Sequence, residues 1–267
     1  MNLKDILVHI DDRSTCSSRL DAAIQLARQQ KALLTGIYIV PPTRHNDQSK
    51  GNLLAQAEQM FHQRTEAAGL ETDWVCIESQ SGRIDVANAL NIHAHYRDLL
   101  VISQTDDNSP DRFIPDNLPE KTVLGSGRPV LIIPYAGQFN HDYRQVMLAW
   151  RGGPESARAL HDALPVLRIA QEVKVISVFD QEDEESYQSP GMDVCLHLAR
   201  YQLRLSSEKR LSGELKTGDM ILNRCADTGA HLLVMGATSQ SRRGTQTLGE
   251  TGRYMLKSMT LPVLMSH

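Results

Sequence analysis

The chain has 267 residues, of which 41% are hydrophobic, and its formal net charge is −4. This length supports one large domain or two ordinary ones, each able to bury an apolar core. A mildly acidic chain without a long basic run is a poor match for a polyanion, so we expect no nucleic-acid partner.

The N-terminus and the cysteines indicate the compartment. The first apolar stretch, residues 5–10, is too short for a signal peptide or a membrane span. The four cysteines are scattered and form no CxxC pair, which favours reduced, buried thiols over a disulfide framework. We therefore expect a cytoplasmic protein that makes no membrane contact.

The first half of the chain alternates between apolar strand patterns and amphipathic helix patterns. Strands are predicted at 5–10, 33–40, 70–78, 98–103 and 129–134, and helices at 16–30, 51–68, 82–96 and 116–125. This alternation predicts right-handed β-α-β crossovers and an open parallel sheet, that is, an α/β domain.

The second half repeats this rhythm with one weak place. Strands are predicted near 145–150, 173–179, 231–235 and 262–266, and helices near 155–169, 191–209, 217–228 and 249–258. The third strand is hard to find, because residues 209–218 are short of apolar residues and contain two glycines. We expect a short or distorted strand there. After 231–235, a polar loop is predicted up to Gly249.

Three pairs of segments show that the chain is an internal duplication. "DILVHIDDRS" (5–14) returns as "QVMLAWRGGP" (145–154), "DLLVISQTDD" (98–107) as "HLLVMGATSQ" (231–240), and "RPVLIIPY" (128–135) as "LPVLMSH" (261–267). The last two pairs share one offset of 133 residues. We predict two domains, 1–137 and 142–267, joined through the polar stretch 136–143.

The residues that carry a family resemblance are "ILVHIDDRS", "SGRPVLIIPY", "AWRGGPESARALHDALPVL", "ADTGAHLLVMGATSQS" and "LGETGRYMLKSMTLPVLMSH". Over nearly its whole length the chain resembles two universal stress protein domains in tandem. The resemblance implies two open five-stranded parallel sheets, Rossmann-like and adenine nucleotide alpha hydrolase-like, related by a pseudo-two-fold axis. It also implies pairing through the last strands, which would make one chain an intrachain pseudo-dimer with optional homodimerisation.

In such sheets ligands bind beyond the carboxyl ends of the strands. ATP-binding members of the family carry an Asp after the first strand and the pattern G-x2-G-x9-G-S/T after the fourth. In the second half Gly236 and Gly249 keep two of these positions, whereas Ser239, Glu250 and Arg151 replace the other three. This domain is predicted to hold a degraded phosphate site.

In the first half only Asp11 keeps its motif position, and Ser103, Asp106, Asp116 and Asn117 replace the others. A carboxylate ~4 Å from a phosphate charge costs about 1 kcal/mol in water and about 4 kcal/mol in a partly buried site. We therefore expect the first half to reject ATP. An alternative interpretation, which we favour for Asp11, is that it caps the helix that follows.

Other polar and cationic residues of the second half keep the binding of a phosphorylated ligand there as an open interpretation. The Ser239 hydroxyl can donate to a phosphate, and the loop carries several cations. The candidate ligand-binding residues are Gly236, Ser239, Arg242, Gly249, Glu250, Thr251, Arg151 and Asp11, with Arg243 and Arg253 within reach. Two structural interpretations remain beside this one: the glycines only shape turns, and the arginines only form a solvated surface.

Two function classes follow from these residues. The favoured hypothesis is a non-catalytic stress-response regulator or scaffold that contacts an unidentified protein partner. The alternative is a module that binds ATP, AMP or another phosphorylated ligand through its second half. Slow ATP hydrolysis ranks third, because the sequence shows neither a general base nor a metal-holding pair. The regulator hypothesis requires no cofactor.

Overall fold

The computed structural model describes residues 2–40, 49–78, 85–106, 113–179, 190–242 and 245–267. The chain divides into an N-terminal domain, Asn2–Gln138, and a C-terminal domain, Phe139–His267. The division falls inside the polar stretch 136–143 that the sequence marks as a linker.

The N-terminal domain is a five-stranded parallel sheet with helical crossovers. Its elements are β1 (Asp5–Ile10), α1 (Cys16–Gln30), β2 (Leu33–Ile39), α2 (Ser49–Ala67), β3 (Thr72–Ile77), α3 (Val86–Ala94), β4 (Leu99–Ser103), α4 (Leu118–Gly125) and β5 (Val130–Ile133). The strands lie in the order β3-β2-β1-β4-β5, and each pair is parallel. From β1 to β3 successive strands are added on one side of β1, whereas β4 and β5 are added on its other side. The strand order therefore reverses between β1 and β4, and such folds bind ligands at this position.

In its described residues the C-terminal domain repeats this topology and also contains a two-stranded hairpin. Its elements are β6 (Gln145–Ala149), α5 (Gly153–Leu167), β7 (Glu172–Phe179), α6 (Pro190–Ala199), β8 (Leu205–Leu211), α7 (Thr217–Thr228), β9 (Leu232–Gly236), β10 (Ser239–Arg242), β11 (Thr245–Leu248), α8 (Glu250–Ser258) and β12 (Val263–Ser266). The parallel order β8-β7-β6-β9-β12 matches that of the first domain. The prediction of two five-stranded α/β domains is confirmed.

Strand register fixes which residues of the two domains correspond. Ile6 of β1 lies opposite Leu99 of β4, and Val146 of β6 lies opposite Leu232 of β9. The first strands are therefore related by an offset of 140 residues and the fourth strands by 133. The buried positions of α1 and α5 support the first offset, because they coincide at Cys16 and Ser156, Arg19 and Ala159, Leu20 and Leu160, Ala23 and Ala163, Leu26 and Val166, and Ala27 and Leu167.

The prediction of a helix over 191–209 is wrong at its C-terminal end. The helix ends at Ala199, and Leu205–Leu211 forms a strand that pairs with β7 over seven residues. The expected short or distorted strand near 209–218 is likewise wrong. In the described residues β8 pairs with β7 at the edge of its domain's sheet, so its polar and charged residues need not be buried, and the sequence carries no apolar run.

The polar loop predicted after β9 is also corrected. Ser239–Arg242 and Thr245–Leu248 form an antiparallel hairpin, with Ser239 opposite Leu248. The two strands, SQSR and TQTL, contain one apolar residue, Leu248, so hydrophobic periodicity does not reveal the hairpin. In the described part of the chain, no helix combines the length and apolar character needed to cross a bilayer.

Tyr143, which precedes β6, carries an unsatisfied hydroxyl. The residue is completely buried at a φ of 49°, and burial raises the pKa of its phenol. The hydroxyl has no hydrogen-bond partner among the described residues. In contrast, the Tyr38 hydroxyl donates to Asp12 Oδ1 at 2.9 Å.

We expect Tyr143→Phe to raise the free energy of unfolding by about 1 kcal/mol, because it removes a buried polar group that forms no hydrogen bond. The matched variant Tyr38→Phe should lower it by a similar amount, since it removes a bonded hydroxyl. Urea unfolding of both variants checks this, and a destabilised Tyr143→Phe protein would contradict it.

Candidate functional site

A cleft of about 110 Å³ opens at the carboxyl edge of the C-terminal sheet. It lies between the ends of β6 and β9 and is bounded by α5, α7 and α8. The lining residues are Ala149, Trp150, Arg151, Gly152, Glu155, Ser156, Ile176, Val178, Thr217, Ile221, Met235, Gly236, Thr238, Thr251 and Gly252. This is the position at which an open parallel sheet changes its winding direction and holds a ligand.

One wall of the cleft is apolar and includes an aromatic ring. Trp150 follows β6, and the aliphatic side chains come from β7, α7 and β9, at Ile176, Val178, Ile221 and Met235. Most of these side chains are buried, so the wall is fixed by the core. An indole beside branched aliphatic groups suits a flat ring of low polarity.

Free hydroxyl groups line the rest of the cleft. Ser156, Thr217, Thr238 and Thr251 all line it, and within the described ranges none of these side chains has a hydrogen-bond partner. Ser156 is only 8% exposed. Since a hydroxyl both donates and accepts, this set can satisfy polar groups on the edge of a ligand.

Three helices start at the cleft without a side-chain cap. They are α5 at Gly153, α7 at Thr217 and α8 at Glu250. Their first amide groups attract negative charge. Glu155 lines the cleft and Glu250 lies exposed in the first turn of α8, so two acids oppose that attraction. The exposed Arg151 supplies one positive charge.

The same position in the N-terminal domain is filled by a buried ion pair. Arg19 of α1 is completely buried, with Nη2 3.0 Å from Asp11 Oδ1, and its Nη1 donates to Ser103 Oγ at 2.9 Å. Arg13 Nε donates to Asp11 Oδ2 at 3.0 Å. Both carboxylate oxygens of Asp11 are therefore engaged by guanidinium groups.

Burial alone would raise the pKa of Asp11, but the charges of Arg19 and Arg13 outweigh it and hold the pKa well below its usual range. His9 is 2% exposed, with Nδ1 3.9 Å from Asp11 Oδ2. Burial, together with the nearby charge of Arg19, lowers the pKa of His9 to about 3. Asp11 and Arg19 are therefore both charged at neutral pH, and His9 is neutral.

Comparison with known proteins identifies the family of the C-terminal half. Residues 142–267 match the universal stress protein family. The C-terminal half of the chain is a universal stress protein domain. No match was found among curated protein sequences.

Solved structures extend the likeness to both halves. A universal stress protein from Archaeoglobus fulgidus DSM 4304 aligns over 98% of this chain and 97% of its own, with 15% identity and a TM-score of 0.74. A putative universal stress protein from Pseudomonas aeruginosa UCBPP-PA14 aligns over 99% and 93%, with 16% identity and a TM-score of 0.65. The predicted tandem of two universal stress protein folds is confirmed.

A third structure, a universal stress protein in complex with cAMP, aligns over 51% of this chain and 100% of its own, with 17% identity and a TM-score of 0.41.

The universal stress protein domain brings three of the predicted ligand residues into the cleft, namely Arg151, Gly236 and Thr251. Gly249 is buried at the N-cap of α8 and faces Thr238. Glu250 is exposed and does not line the cleft. The side chains of Ser239 and Arg242, and all of Arg243, lie outside the described residues, and Arg253 is exposed on α8.

The cap assigned to Asp11 is wrong. The N-cap residue of α1 is Thr15, and its side chain makes no capping hydrogen bond. Asp11 instead accepts from the backbone N–H of Arg13 at 3.2 Å and pairs with Arg19. Asp116 is exposed and Asp106 half-buried, beyond the end of β4.

Sequence reasoning named Thr251 but missed the other three hydroxyl groups, Ser156, Thr217 and Thr238, as well as Arg19. The three missed hydroxyls come from three different segments and form no motif. Arg19 did carry a signal, because it occupies the buried face of α1 between Cys16 and Leu20.

Gly236 is required by packing. A Cβ atom there would lie 2.5 Å from the backbone carbonyl carbon of Glu155 and 2.7 Å from its oxygen. The first turn of α5 therefore rests directly on the end of β9. This contact supports the interpretation of Gly236 as a structural residue.

We expect Gly236→Ala to lower the free energy of unfolding by about 1 to 3 kcal/mol, since backbone atoms must move to admit the methyl group. Gly252→Ala is the matched control, because its Cβ would meet only Leu248 at 3.5 Å and alanine favours the helix. Thermal or urea unfolding distinguishes them, and equal stability of the two variants would refute the packing role.

The depressed pKa of His9 predicts an acid-sensitive fold. Below pH ~6.5 the unfolded chain binds a proton that the folded chain accepts only near pH 3, so stability falls as the pH decreases. The slope should approach about 1.4 kcal/mol per pH unit between roughly pH 6 and 4.5. His9→Gln should remove most of this slope in urea unfolding, whereas His161→Gln, at an exposed site, should leave it unchanged.

Proposed function

We propose that the C-terminal universal stress protein domain binds an adenine nucleotide or nucleoside in its cleft, and that the chain acts as a non-catalytic regulator. The observation that carries this proposal is the pairing of the Trp150 wall with four free hydroxyl groups across one cleft. A flat base would pack on the wall while the hydroxyl groups bond its polar edge and the ribose.

The charges favour few phosphates. Glu155 lines the cleft and Glu250 begins α8, whereas Arg151 is the cation that lines the described cleft. Each additional phosphate charge held near a carboxylate at partly solvated dielectric costs about 1 kcal/mol or more. AMP and adenosine are therefore the expected ligands, with ATP weaker.

The N-terminal domain supports the regulatory part of the proposal. Its crevice holds Arg19 paired with Asp11, so the guanidinium takes the place of a ligand. We propose that this domain acts as a scaffold for an unidentified protein partner while its neighbour in the chain responds to the small molecule.

A single-tryptophan titration tests binding. The chain has two tryptophans, and Trp74→Phe leaves Trp150 as the reporter in the cleft. We expect adenosine and AMP to quench its fluorescence saturably, with AMP binding at least fivefold more tightly than ATP. Unchanged fluorescence at millimolar AMP would overturn the proposal, and tighter binding of ATP would overturn the charge argument alone.

A matched pair of variants locates the site. Thr251→Val preserves shape but removes a cleft hydroxyl, so it should weaken AMP binding about fivefold. Thr260→Val, at an exposed position after α8, should leave the affinity unchanged. Equal affinities in the two variants would place the ligand elsewhere.

A further inference from the structure

Arg19 occupies the counterpart of the cleft. Its partners Asp11 and Ser103 correspond to Arg151 and Gly236, and both of those line the cleft of the other domain. Cys16, which shares the buried face of α1 with Arg19, corresponds to the cleft residue Ser156.

The residue that corresponds to Arg19 itself is Ala159, which is completely buried in α5. Alanine has no side chain long enough to reach the crevice. The two domains thus differ at one buried helix position, which is Arg19 in the N-terminal domain and Ala159 in the C-terminal domain.

The surroundings of Arg19 have the chemistry of a guanidinium receptor. A carboxylate oxygen lies 3.0 Å from Nη2 and a serine hydroxyl accepts from Nη1 at 2.9 Å, so the two arms of the planar fork have separate partners. Asp11 is itself held by Arg13 Nε and the Arg13 backbone N–H. Arg13 thus fixes the Asp11 carboxylate, whose Oδ1 forms the ion pair with Nη2 while Ser103 accepts from Nη1. Two partners at separate fixed positions suit a planar guanidinium better than a point charge.

We propose that the crevice of the N-terminal domain is a guanidinium-binding site whose occupant is the chain's own Arg19. Removal of that side chain opens a site for a small molecule that carries a guanidinium or amidinium group. The crevice selects cations, in contrast to the cleft of the C-terminal domain. This inference does not depend on what the C-terminal cleft binds.

Chemical rescue of Arg19→Ala tests the site. The variant leaves Asp11 buried beside one fewer cation, and we expect its thermal unfolding midpoint to fall by about 10 °C. Ethylguanidinium at millimolar concentration, far below denaturing levels, should restore about 4 °C at ten times its dissociation constant. Methylammonium lacks the fork and urea lacks the charge, so neither should restore the midpoint.

Three control proteins define the specificity. The unmodified chain should show no response because its site is full. Arg64→Ala removes a guanidinium that pairs with Asp21 at the surface, and it should show no saturable response. Asp11→Asn combined with Arg19→Ala should lose the rescue, since the carboxylate is gone.

The proposal is overturned if Arg19→Ala is as stable as the unmodified chain, if methylammonium or urea rescues it equally, or if the rescue persists in the double variant. If Arg19→Ala does not fold in buffer, the readout becomes the far-ultraviolet circular dichroism recovered on adding ethylguanidinium. Recovery supports the site, and no recovery at tens of millimolar overturns it.

Discussion

A completely buried guanidinium must have a fixed counter-charge, and this constraint organises the N-terminal domain. Arg19 is buried within α1, and Asp11 lies immediately after β1. Breaking such a pair by removing one partner typically costs about 3 to 5 kcal/mol, because the other charge stays buried. The pair therefore ties the first helix to the end of the first strand, and through Ser103 to the end of the fourth.

The two domains show how one fold can treat the same position in opposite ways. In the N-terminal domain the crevice is closed by an internal cation. In the C-terminal domain Ala159 stands in the place of Arg19, and the cleft at the end of the sheet is lined by free hydroxyl groups. After a duplication, one copy can keep a ligand site while the other exchanges it for stability. The open cleft lies in the domain at 142–267, the half of the chain that matches the universal stress protein family.

The sequence predicted most strands well because their side chains are buried on both faces. β4 and β5 are buried at every position, and their bounds differ from the prediction by at most one residue at either end. β8 was missed because an edge strand can be polar, and the hairpin β10–β11 because backbone pairing leaves no hydrophobic period. Arg19 was missed for a different reason: an arginine within a helix is normally exposed, and only its place on the apolar stripe argues otherwise.

The retained glycines illustrate why a partial motif is weak support for phosphate binding. Gly236 gives room to the backbone of Glu155, and α5 begins one turn earlier than α1 relative to the shared buried positions. Gly152 and Gly153 make that extra turn possible, since their φ angles of 83° and 84° are rarely adopted by other residues. The turn carries Glu155 into the cleft, where a triphosphate would have to approach a carboxylate. Packing of α5 thus requires Gly236, a glycine of the ATP pattern, and the same helix adds the negative charge of Glu155, which opposes ATP. The hydroxyl groups and Trp150, rather than the glycines, therefore define what the cleft can hold.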